Sequence, residues 1–368
     1  MTDPILPEYS GANVRGVVPG ILGTRTPGVG RPDWFPSVLA EAKRVVLFVV
    51  DGLGWLQLGA RTSLAPVLAS MSGGPITTVA PTTTSTALTS ISTGLTPAEH
   101  GILGYRMDVG GEVVNMLRWW GARGDARQRI PPRQLQSHRA FLGERVPVVS
   151  RADLAGSAFT EAHLFGVRHV GWRTPSNLVV EVNRLVAAGE SFVYAYYDGL
   201  DKVAHEYGLG DHYDAELCSI DRLVGDIVSS LPDDVVLCVT ADHGQVHVGD
   251  RVVSPGADVL AATRHQSGEG RFRWLHARPG AAGALRDACT QHESVAWVVT
   301  RERVLDEGWF GPYMASDVAR RLGDVALVAR EAVSFDDPAD SGPFALVCRH
   351  GSLTADEMYV PLLASSRA

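Results

Sequence analysis

The chain has 368 residues, of which 45% are hydrophobic and 20% are charged, as is ordinary for a globular protein with an ample core. Its 33 basic and 41 acidic residues give a net charge of −8, which argues against a general binder of nucleic acid or of acidic membranes. A small anionic substrate stays open, because bound divalent cations would reverse the local charge.

The beginning of the sequence shows neither a basic segment nor an apolar segment of the kind that forms a signal peptide. No uncharged apolar run reaches the roughly 18 residues that a membrane span needs. The four cysteines share no metal-like spacing, and three of them lie in apolar stretches, which is typical of buried free thiols (Cys218, Cys238, Cys289 and Cys348). These features predict a cytoplasmic protein without a membrane partner.

Residues 1–36 are rich in Pro and Gly and predict an extended N-terminal arm on the surface. Four apolar runs of strand-like composition then follow along the chain, at 45–50, 191–197, 235–240 and 344–348. Helical patterns lie between them, at 53–71, 85–93, 176–188 and 214–231. This alternation predicts an α/β fold, a doubly wound and mostly parallel sheet flanked by helices.

Two stretches interrupt the alternation. Residues 104–150 contain Trp119-Trp120 and many arginines, whose usual explanation is a solvated charged face, although some could contact a nucleotide or a second phosphate. Residues 251–340 read as strand 272–277, helix 281–291, strand 295–300, helix 315–322 and strand 325–329. We therefore expect a small α+β insertion that caps the site, at 251–340, on a catalytic core formed by 37–250 and 341–368.

Residues suited to bind metal follow each of the four strand-like runs, where open α/β sheets place their ligands. They are three carboxylates and three imidazoles: Asp51, Asp201, His205, Asp242, His243 and His350. This set suits two zinc ions with positions open for substrate, and two such ions can clamp a phosphoryl transfer. Manganese or iron would also accept these ligands. Each segment by itself is a weak signal, so the prediction depends on the whole set.

A hydroxyl nucleophile is available in the segment Pro81-Thr82-Thr83-Thr84, which is followed by Ser85 and Thr86. A helix at 85–93 that ends at Gly94 places Thr84 at its N-terminus, where backbone N–H groups favour a phosphate. The alternative interpretation is that Thr84 is an N-cap residue without a catalytic role.

These segments, in this order, resemble the alkaline phosphatase superfamily and most of all its type I phosphodiesterase and nucleotide pyrophosphatase branch. The matching stretches run from VVLFVVDGLG at 45–54, through APTTTSTALTSISTGLTPAEHGILGY at 80–105, YYDGLDKVAHEYG at 196–208 and VVLCVTADHG at 235–244, to RHGSLTADEMYVPLL at 349–363.

The resemblance implies one zinc held by Asp51, Asp242, His243 and the Thr84 oxygen, and a second zinc held by Asp201, His205 and His350. It further implies that Thr84 attacks phosphorus and that water hydrolyses a phosphothreonine intermediate. Thr84 is the choice because the nucleophile of the family lies ten positions before the glycine of a Thr-Gly pair.

The sequence departs from the family at the position three residues after the nucleophile. The branch usually has an Asn there, which contacts a phosphoryl oxygen, whereas this chain has Ala87. The substrate class therefore stays open between a phosphodiester or nucleotide and a phosphomonoester on the same site. A phosphonate hydrolase, a phosphomutase and a silent binding protein are further alternatives. We expect a small phosphate ester or nucleotide as the partner and no stable nucleic-acid partner, and the oligomeric state stays open.

Overall fold

The computed structural model describes residues 3–23, 30–40, 42–340 and 345–366. Its strands, in chain order, are β1 (Arg44–Val50), β2 (Ser72–Thr77), β3 (Arg106–Val109), β4 (Glu112–Asn115), β5 (Trp120–Gly121), β6 (Gly124–Asp125), β7 (Pro147–Arg151), β8 (Arg168–Trp172), β9 (Phe192–Tyr197), β10 (Val235–Thr240), β11 (Val246–His247), β12 (Val252–Val253), β13 (Thr263–Glu269), β14 (Phe272–Ala277), β15 (Ala296–Thr300), β16 (Val325–Ala329), β17 (Ser334–Phe335), β18 (Cys348–Arg349) and β19 (Tyr359–Ser366).

Its α-helices are α1 (Val17–Leu22), α2 (Ser37–Ala40), α3 (Trp55–Gly59), α4 (Pro66–Ser70), α5 (Thr84–Thr93), α6 (Pro97–His100), α7 (Pro132–Leu135), α8 (Ala158–His163), α9 (Pro175–Ala187), α10 (Gly199–Tyr207), α11 (Asp211–Ser230), α12 (Ala257–Ala262), α13 (Ala282–Cys289), α14 (Arg301–Asp306), α15 (Ser316–Ala319) and α16 (Ala355–Met358). Short 3-10 turns occur at Val14–Gly16, Phe141–Gly143, Ala152–Leu154 and Thr290–His292.

The central sheet has the strand order β2-β19-β10-β1-β9-β7-β8. Strands β10, β1, β9, β7 and β8 are mutually parallel, and β19 is antiparallel to both of its neighbours. The three middle strands are buried on both faces because their sequences are continuous β-branched and aromatic runs. Helices α9 and α11 pack together along the sheet, and α1, α5 and α8 form a second packed group. The predicted α/β fold, with its mostly parallel sheet flanked by helices, is confirmed.

The register of the middle strands brings their carboxyl ends to one edge. Val50 of β1 pairs with Tyr197 of β9, and Val49 pairs with Thr240 of β10. The residues that leave these strands therefore meet at the same place, which is where the sequence predicts metal ligands.

The prediction of an extended surface arm at 1–36 is wrong for residues 14–22, whereas the described residues 3–12 form neither helix nor strand. Residues 14–22 are helical, and their apolar side chains are buried in the main core (Val14, Val17, Val18, Ile21 and Leu22). Pro19 does not prevent this, because it lies in the first turn of α1, where its missing N–H group is not needed. Residues 24–29 of the predicted arm lie outside the described residues.

Two other predicted elements differ from the structure. The single helix expected at 53–71 is two short helices, because Pro66 begins α4 after a turn. The strand expected at 344–348 is the two-residue β18, which pairs with β11 and does not join the central sheet; Phe344 lies outside the described residues. The strand next to β10 is β19 instead.

The insertion at 251–340 forms an antiparallel sheet with the order β13-β14-β16-β15. Strands β14 and β16 cover the residues expected for them, and β13 was not expected. Trp309 and Phe272 of the insertion share an apolar cluster with Ala98, Ile102 and Leu353 of the expected core. The insertion therefore packs firmly on the rest of the chain, and the domain boundaries at 250/251 and 340/341 stay a prediction.

Candidate metal centre

The first cluster of candidate ligands joins the ends of β1 and β10. The Nε2 atom of His243 lies 3.3 Å from Oδ1 of Asp51 and 3.5 Å from Oδ2 of Asp242. Asp51 is 2% exposed, and the other two side chains are fully buried. The sequence brings these residues together because Asp51 directly follows β1, while Asp242 and His243 follow the neighbouring parallel strand.

Glycines allow the chain segments of this cluster to approach closely. Gly52 has a φ of 74°, and a Cβ atom there would lie 3.1 Å from Cβ of Asp201. A Cβ atom on Gly244 would lie 2.0 Å from the carbonyl oxygen of Asp356. The pairs Asp51-Gly52 and His243-Gly244 are therefore requirements of packing as well as of ligand position.

The second cluster joins α10 to the segment after β18. Asp201 and His205 are one helical turn apart, and Nε2 of His205 lies 3.2 Å from Oδ1 of Asp201. Nε2 of His350 lies 3.8 Å from the same oxygen. The two clusters are adjacent, because the ring of His350 stacks on that of His243 with a centroid distance of 3.5 Å.

All three histidines are oriented in the same way. Their Nδ1 atoms lie 3.0, 2.7 and 2.7 Å from backbone carbonyl oxygens, which belong to Gly244 for His243, Cys348 for His205 and Thr82 for His350. An Nδ1–H group that donates to a carbonyl leaves the Nε2 lone pair free, and this arrangement is typical of histidines that bind metal.

The carboxylates keep oxygens free for a cation. Tyr196 donates a short hydrogen bond to Oδ2 of Asp51, the Gly52 N–H group donates to Oδ1 of Asp242 at 3.1 Å, and Gln245 Nε2 donates to Oδ1 of Asp201 at 2.5 Å. Oδ1 of Asp51 and Oδ2 of Asp242 are buried and have no hydrogen-bond partner among the described residues. Buried carboxylate oxygens without partners are costly, so this donor set fits divalent cations.

The titration behaviour agrees with this conclusion. Burial, together with the neighbouring Asp51, raises the pKa of Asp242 well above its usual value. Burial acts to lower the pKa of His243, but Asp242 and Asp51 outweigh it and raise that pKa to about 10. Burial and the adjacent His243 hold the pKa of His350 well below its usual value. Without a cation, protons must balance the crowded carboxylates, and a bound cation would replace them.

Thr84 lies at the junction of these residues. It is the first residue of α5, and Thr83 occupies the N-cap position that was the alternative explanation for Thr84. The Thr84 Oγ1 atom lies 3.1 Å from Nε2 of His243. Thr82 and Ser85 use their hydroxyls to donate to the carbonyls of Ser352 and Gly104.

The helix that carries Thr84 is buried along its whole length, although it is rich in Ser and Thr. Thr89 and Thr93 donate to the carbonyls of Ser85 and Thr89, four residues earlier in each case, at 2.6 Å. Hydroxyls satisfied by the helix's own backbone can be buried without loss. Ala87 is fully buried in this helix, so no polar side chain takes the place of the family Asn at that position.

Two cavities meet at Thr84. A cavity of about 360 Å³ is lined by Thr84 and by all three residues of the second cluster. A smaller pocket of about 210 Å³ has mostly apolar and aromatic walls, including Leu88, Phe159 and Tyr194. Sequence reasoning missed these walls, as well as Tyr196 and Gln245, although Leu88 and Tyr196 lie in the matching stretches 80–105 and 196–208, because nothing in the sequence marks them as pocket walls or as partners of the ligands.

A third group of candidate ligands lies where β3 meets β13, and its hydrogen bonds explain its arrangement. His265 Nε2 pairs with Oδ2 of Asp108 at 2.7 Å, and Arg264 donates to the other ring nitrogen at 3.2 Å. His276 Nε2 pairs with the hydroxyl of Ser267 at 2.8 Å.

No helix among the described residues is both long and apolar enough to cross a membrane.

Comparison with known proteins places this chain in a family. The family model of type I phosphodiesterase / nucleotide pyrophosphatase matches residues 45–353. Murine ectonucleotide pyrophosphatase / phosphodiesterase 5, as an inactive variant in complex with AMP, has a TM-score of 0.66 and 16% sequence identity, covering 89% of this chain and 88% of that chain. Phosphonoacetate hydrolase from Sinorhizobium meliloti in complex with phosphonoformate has a TM-score of 0.63 and 17% identity, covering 88% of this chain and 90% of that chain.

A search of curated proteins gave no significant match. Both solved structures have the fold of the alkaline phosphatase superfamily, and the family match covers most of this chain. The family and fold expected from the sequence are therefore confirmed, and the chain belongs to the type I phosphodiesterase / nucleotide pyrophosphatase family.

Proposed function

We propose that this protein is a metal-dependent phosphodiesterase or nucleotide pyrophosphatase that acts through a phosphothreonine intermediate on Thr84. The observation that carries the proposal is the position of the Thr84 hydroxyl, which lies beside the first cluster and faces a cavity lined by the second. Family membership supports phosphoester hydrolysis, and the solved neighbours bind AMP and phosphonoformate.

The seven ligands proposed for two cations are Asp51, Asp242, His243 and the Thr84 oxygen in the first cluster, and Asp201, His205 and His350 in the second. Two zinc ions suit this mixture of carboxylates and imidazoles, and manganese or iron is the alternative. Bound there, the cations would lower the pKa of the Thr84 hydroxyl and stabilise negative charge on the phosphoryl oxygens.

The chain itself supplies the nucleophile and the backbone N–H groups that support the phosphoryl group. The Thr84 oxygen attacks phosphorus, and the leaving group departs into the cavity of the second cluster, opposite the nucleophile. The N–H groups in the first turn of α5 point toward the phosphoryl group and support it where Ala87 offers no side chain. Water then hydrolyses the phosphothreonine and restores the hydroxyl.

A diester fits the site better than a monoester. A phosphodiester carries two substituents on phosphorus, and two separate cavities meet at Thr84. The apolar, aromatic pocket suits a flat group such as a nucleobase or an aryl ring. Glu269 and Gly270, which belong to the insertion at 251–340, line the larger cavity, and this supports the proposal that the insertion covers the substrate.

The test is the initial rate of hydrolysis of bis-p-nitrophenyl phosphate against p-nitrophenyl phosphate, with zinc present and with a chelator as control. We expect the diester to react faster and both rates to fall to background with chelator. A faster monoester rate would move the assignment to a phosphatase on the same residues. Turnover that survives complete removal of metal would overturn the proposed site chemistry.

A further inference from the structure

Two guanidinium groups on the wall of the larger cavity form no direct ion pair among the described residues, although Asp340 and Asp336 attract Arg349 at longer range. Arg118 and Arg349 both line this cavity, and the described residues give neither side chain a hydrogen bond or an ion pair. Nε of Arg349 is buried without a hydrogen-bond acceptor.

Several other arginines of this region are paired with carboxylates. Arg106 pairs with Asp337, Arg123 pairs with Glu112, and Arg273 lies 3.2 Å from Asp340. The buried Arg271 makes two 2.8 Å hydrogen bonds to the carboxylate of Glu357. Arg118 is exposed, whereas Arg349 is partly buried. A partly buried cation without an acceptor is unfavourable, and an anionic ligand would relieve that cost at Arg349.

The position of the two arginines fixes which part of a substrate they would meet. Arg349 directly precedes His350 of the second cluster, and it lines the larger cavity but not the apolar pocket. Arg118 also lines a large outer cavity of about 890 Å³, which shares Tyr105, Arg118 and Asp340 with the cavity over the metal clusters. A leaving group that extends outward from the second cluster therefore passes both guanidinium groups.

We infer that Arg118 and Arg349 form a subsite for an anionic group on the leaving side of the substrate. The inference rests on the proposed function, and it narrows the substrate class to phosphoric esters or anhydrides whose leaving group carries its own phosphate or carboxylate. Guanidinium groups bind both of these anions through paired N–H donors. The apolar pocket then holds the group that stays on the transferred phosphorus, and the charged subsite selects the group that departs.

The test compares substrates that share the reacting phosphate and differ in the leaving group. Thymidine monophosphate p-nitrophenyl ester has a leaving group without a further anion. The second substrate is its analogue with a carboxylated p-nitrophenyl group, whose leaving group carries a carboxylate. The third is thymidine triphosphate, whose leaving group is pyrophosphate. The wild type, R349Q, R349K, R118Q and the control R123Q are assayed on all three, with bound metal and melting temperature measured for each.

We expect R349Q and R118Q each to lower kcat/KM by about 10-fold on a charged leaving group, in line with loss of a charge-assisted hydrogen bond. The uncharged ester should change by less than about 2-fold, R349K should keep part of the preference, and R123Q should match the wild type, because Arg123 is already paired with Glu112. The charged substrate whose kcat/KM falls more in these variants identifies the preferred anion, carboxylate or phosphate.

Two outcomes would overturn the inference: equal losses on charged and uncharged substrates, or no loss in either variant while the wild type hydrolyses the uncharged ester. Failure of the wild type to hydrolyse any of the three with metal bound is a different result, because it contradicts the proposed function itself.

Discussion

The two ligand clusters are built from different parts of the fold, and they differ in exposure. Asp51, Asp242 and His243 follow adjacent parallel strands and are buried almost completely. In the second cluster, Asp201 is supplied by a helix and His350 by the end of a two-residue strand, and their side chains are 13% and 11% exposed. The first cluster is therefore enclosed at the edge of the sheet, whereas the second lines the larger cavity, into which we propose that the leaving group departs.

Replacing the proposed nucleophile should have the largest effect on activity. Thr84→Ala removes the hydroxyl that lies 3.1 Å from His243, and we expect turnover to fall by about a thousandfold or more. Six protein ligands remain, so both metals should stay bound, which elemental analysis of the purified variant checks alongside the rate.

The matched control is Thr86→Ala in the same helix, because the buried Thr86 hydroxyl has no hydrogen-bond partner among the described residues. That variant should keep most of the activity. Near-normal turnover of Thr84→Ala would remove Thr84 from the role of nucleophile and leave it as a residue of the helix terminus.

Removing one ligand from each cluster tests whether the clusters bind metal separately. His350→Gln should release the second-cluster metal and keep the first, because Asp51, Asp242 and His243 are unchanged and buried. Asp242→Asn should do the reverse, and both variants should lose at least about 100-fold in rate. Metal content per chain, measured during a chelator titration, gives the order of release, with the wild-type second-cluster metal expected to leave first.

The control for this comparison is His247→Gln, which changes an exposed histidine of β11 that belongs to neither cluster. It should bind metal as the wild type does. Loss of both metals together from His350→Gln would mean that the two clusters bind metal as one unit, contrary to the difference in their construction.

The first cluster could be predicted from the sequence because its two strands have a clear sequence pattern. The runs at 45–50 and 235–240 are continuous and β-branched, they form β1 and β10, and their ligands follow directly in the chain. The strand before His350 was predicted wrongly. The apolar run at 344–348 has the composition of a strand, but β18 has only two residues. The next sheet strand, β19, contains Pro361, which normally argues against a strand; in the structure it faces Pro75 of β2.

The partners of the ligands could not be predicted, because they depend on register and on contacts distant in sequence. Tyr196 reaches Asp51 because it pairs with Val49 across two parallel strands. Glu269 and Arg349 line one cavity although they are far apart in the chain, and no local pattern predicts that they share it. Local sequence patterns report strands and turns, whereas such contacts depend on the whole fold.

A smaller effect should come from the residues that orient the carboxylates. Tyr196→Phe removes the hydrogen bond to Asp51, and Gln245→Ala removes the 2.5 Å hydrogen bond to Asp201. Each should weaken its own metal by about 10–100-fold, as is usual for hydrogen-bonding partners of metal ligands. Competition with a coloured chelator measures both affinities, and Tyr194→Phe is the control because the Tyr194 hydroxyl has no hydrogen-bond partner among the described residues. If Tyr196→Phe weakened only the second metal, the assignment of Asp51 to the first cluster would be wrong.

The smallest effect concerns a buried carboxyl on the wall of the open cavity. Burial raises the pKa of Glu269 to about 8, although the nearby Thr83 hydroxyl, Arg273 and His243 act to lower it and Asp340 acts to raise it. Both carboxyl oxygens are buried without a hydrogen-bond partner among the described residues. Because the folded pKa lies above the usual value of 4.5 for a glutamate, Glu269 costs stability that grows as pH rises from about 4.5 to about 8.

Glu269→Gln removes this cost, so the variant should gain stability over the wild type across that pH range, by on the order of 1 kcal/mol near pH 8. Urea unfolding of the metal-loaded proteins at several pH values measures the difference. Glu112→Gln should change the free energy of unfolding in the opposite direction, because Arg129 and Arg123 hold the pKa of Glu112 at about 2. That variant should be less stable than the wild type at neutral pH, and its deficit should shrink as pH falls below about 4.5. A pH-independent difference for Glu269→Gln would show that this carboxyl is ionised throughout, in which case a cation or solvent must balance it inside the cavity.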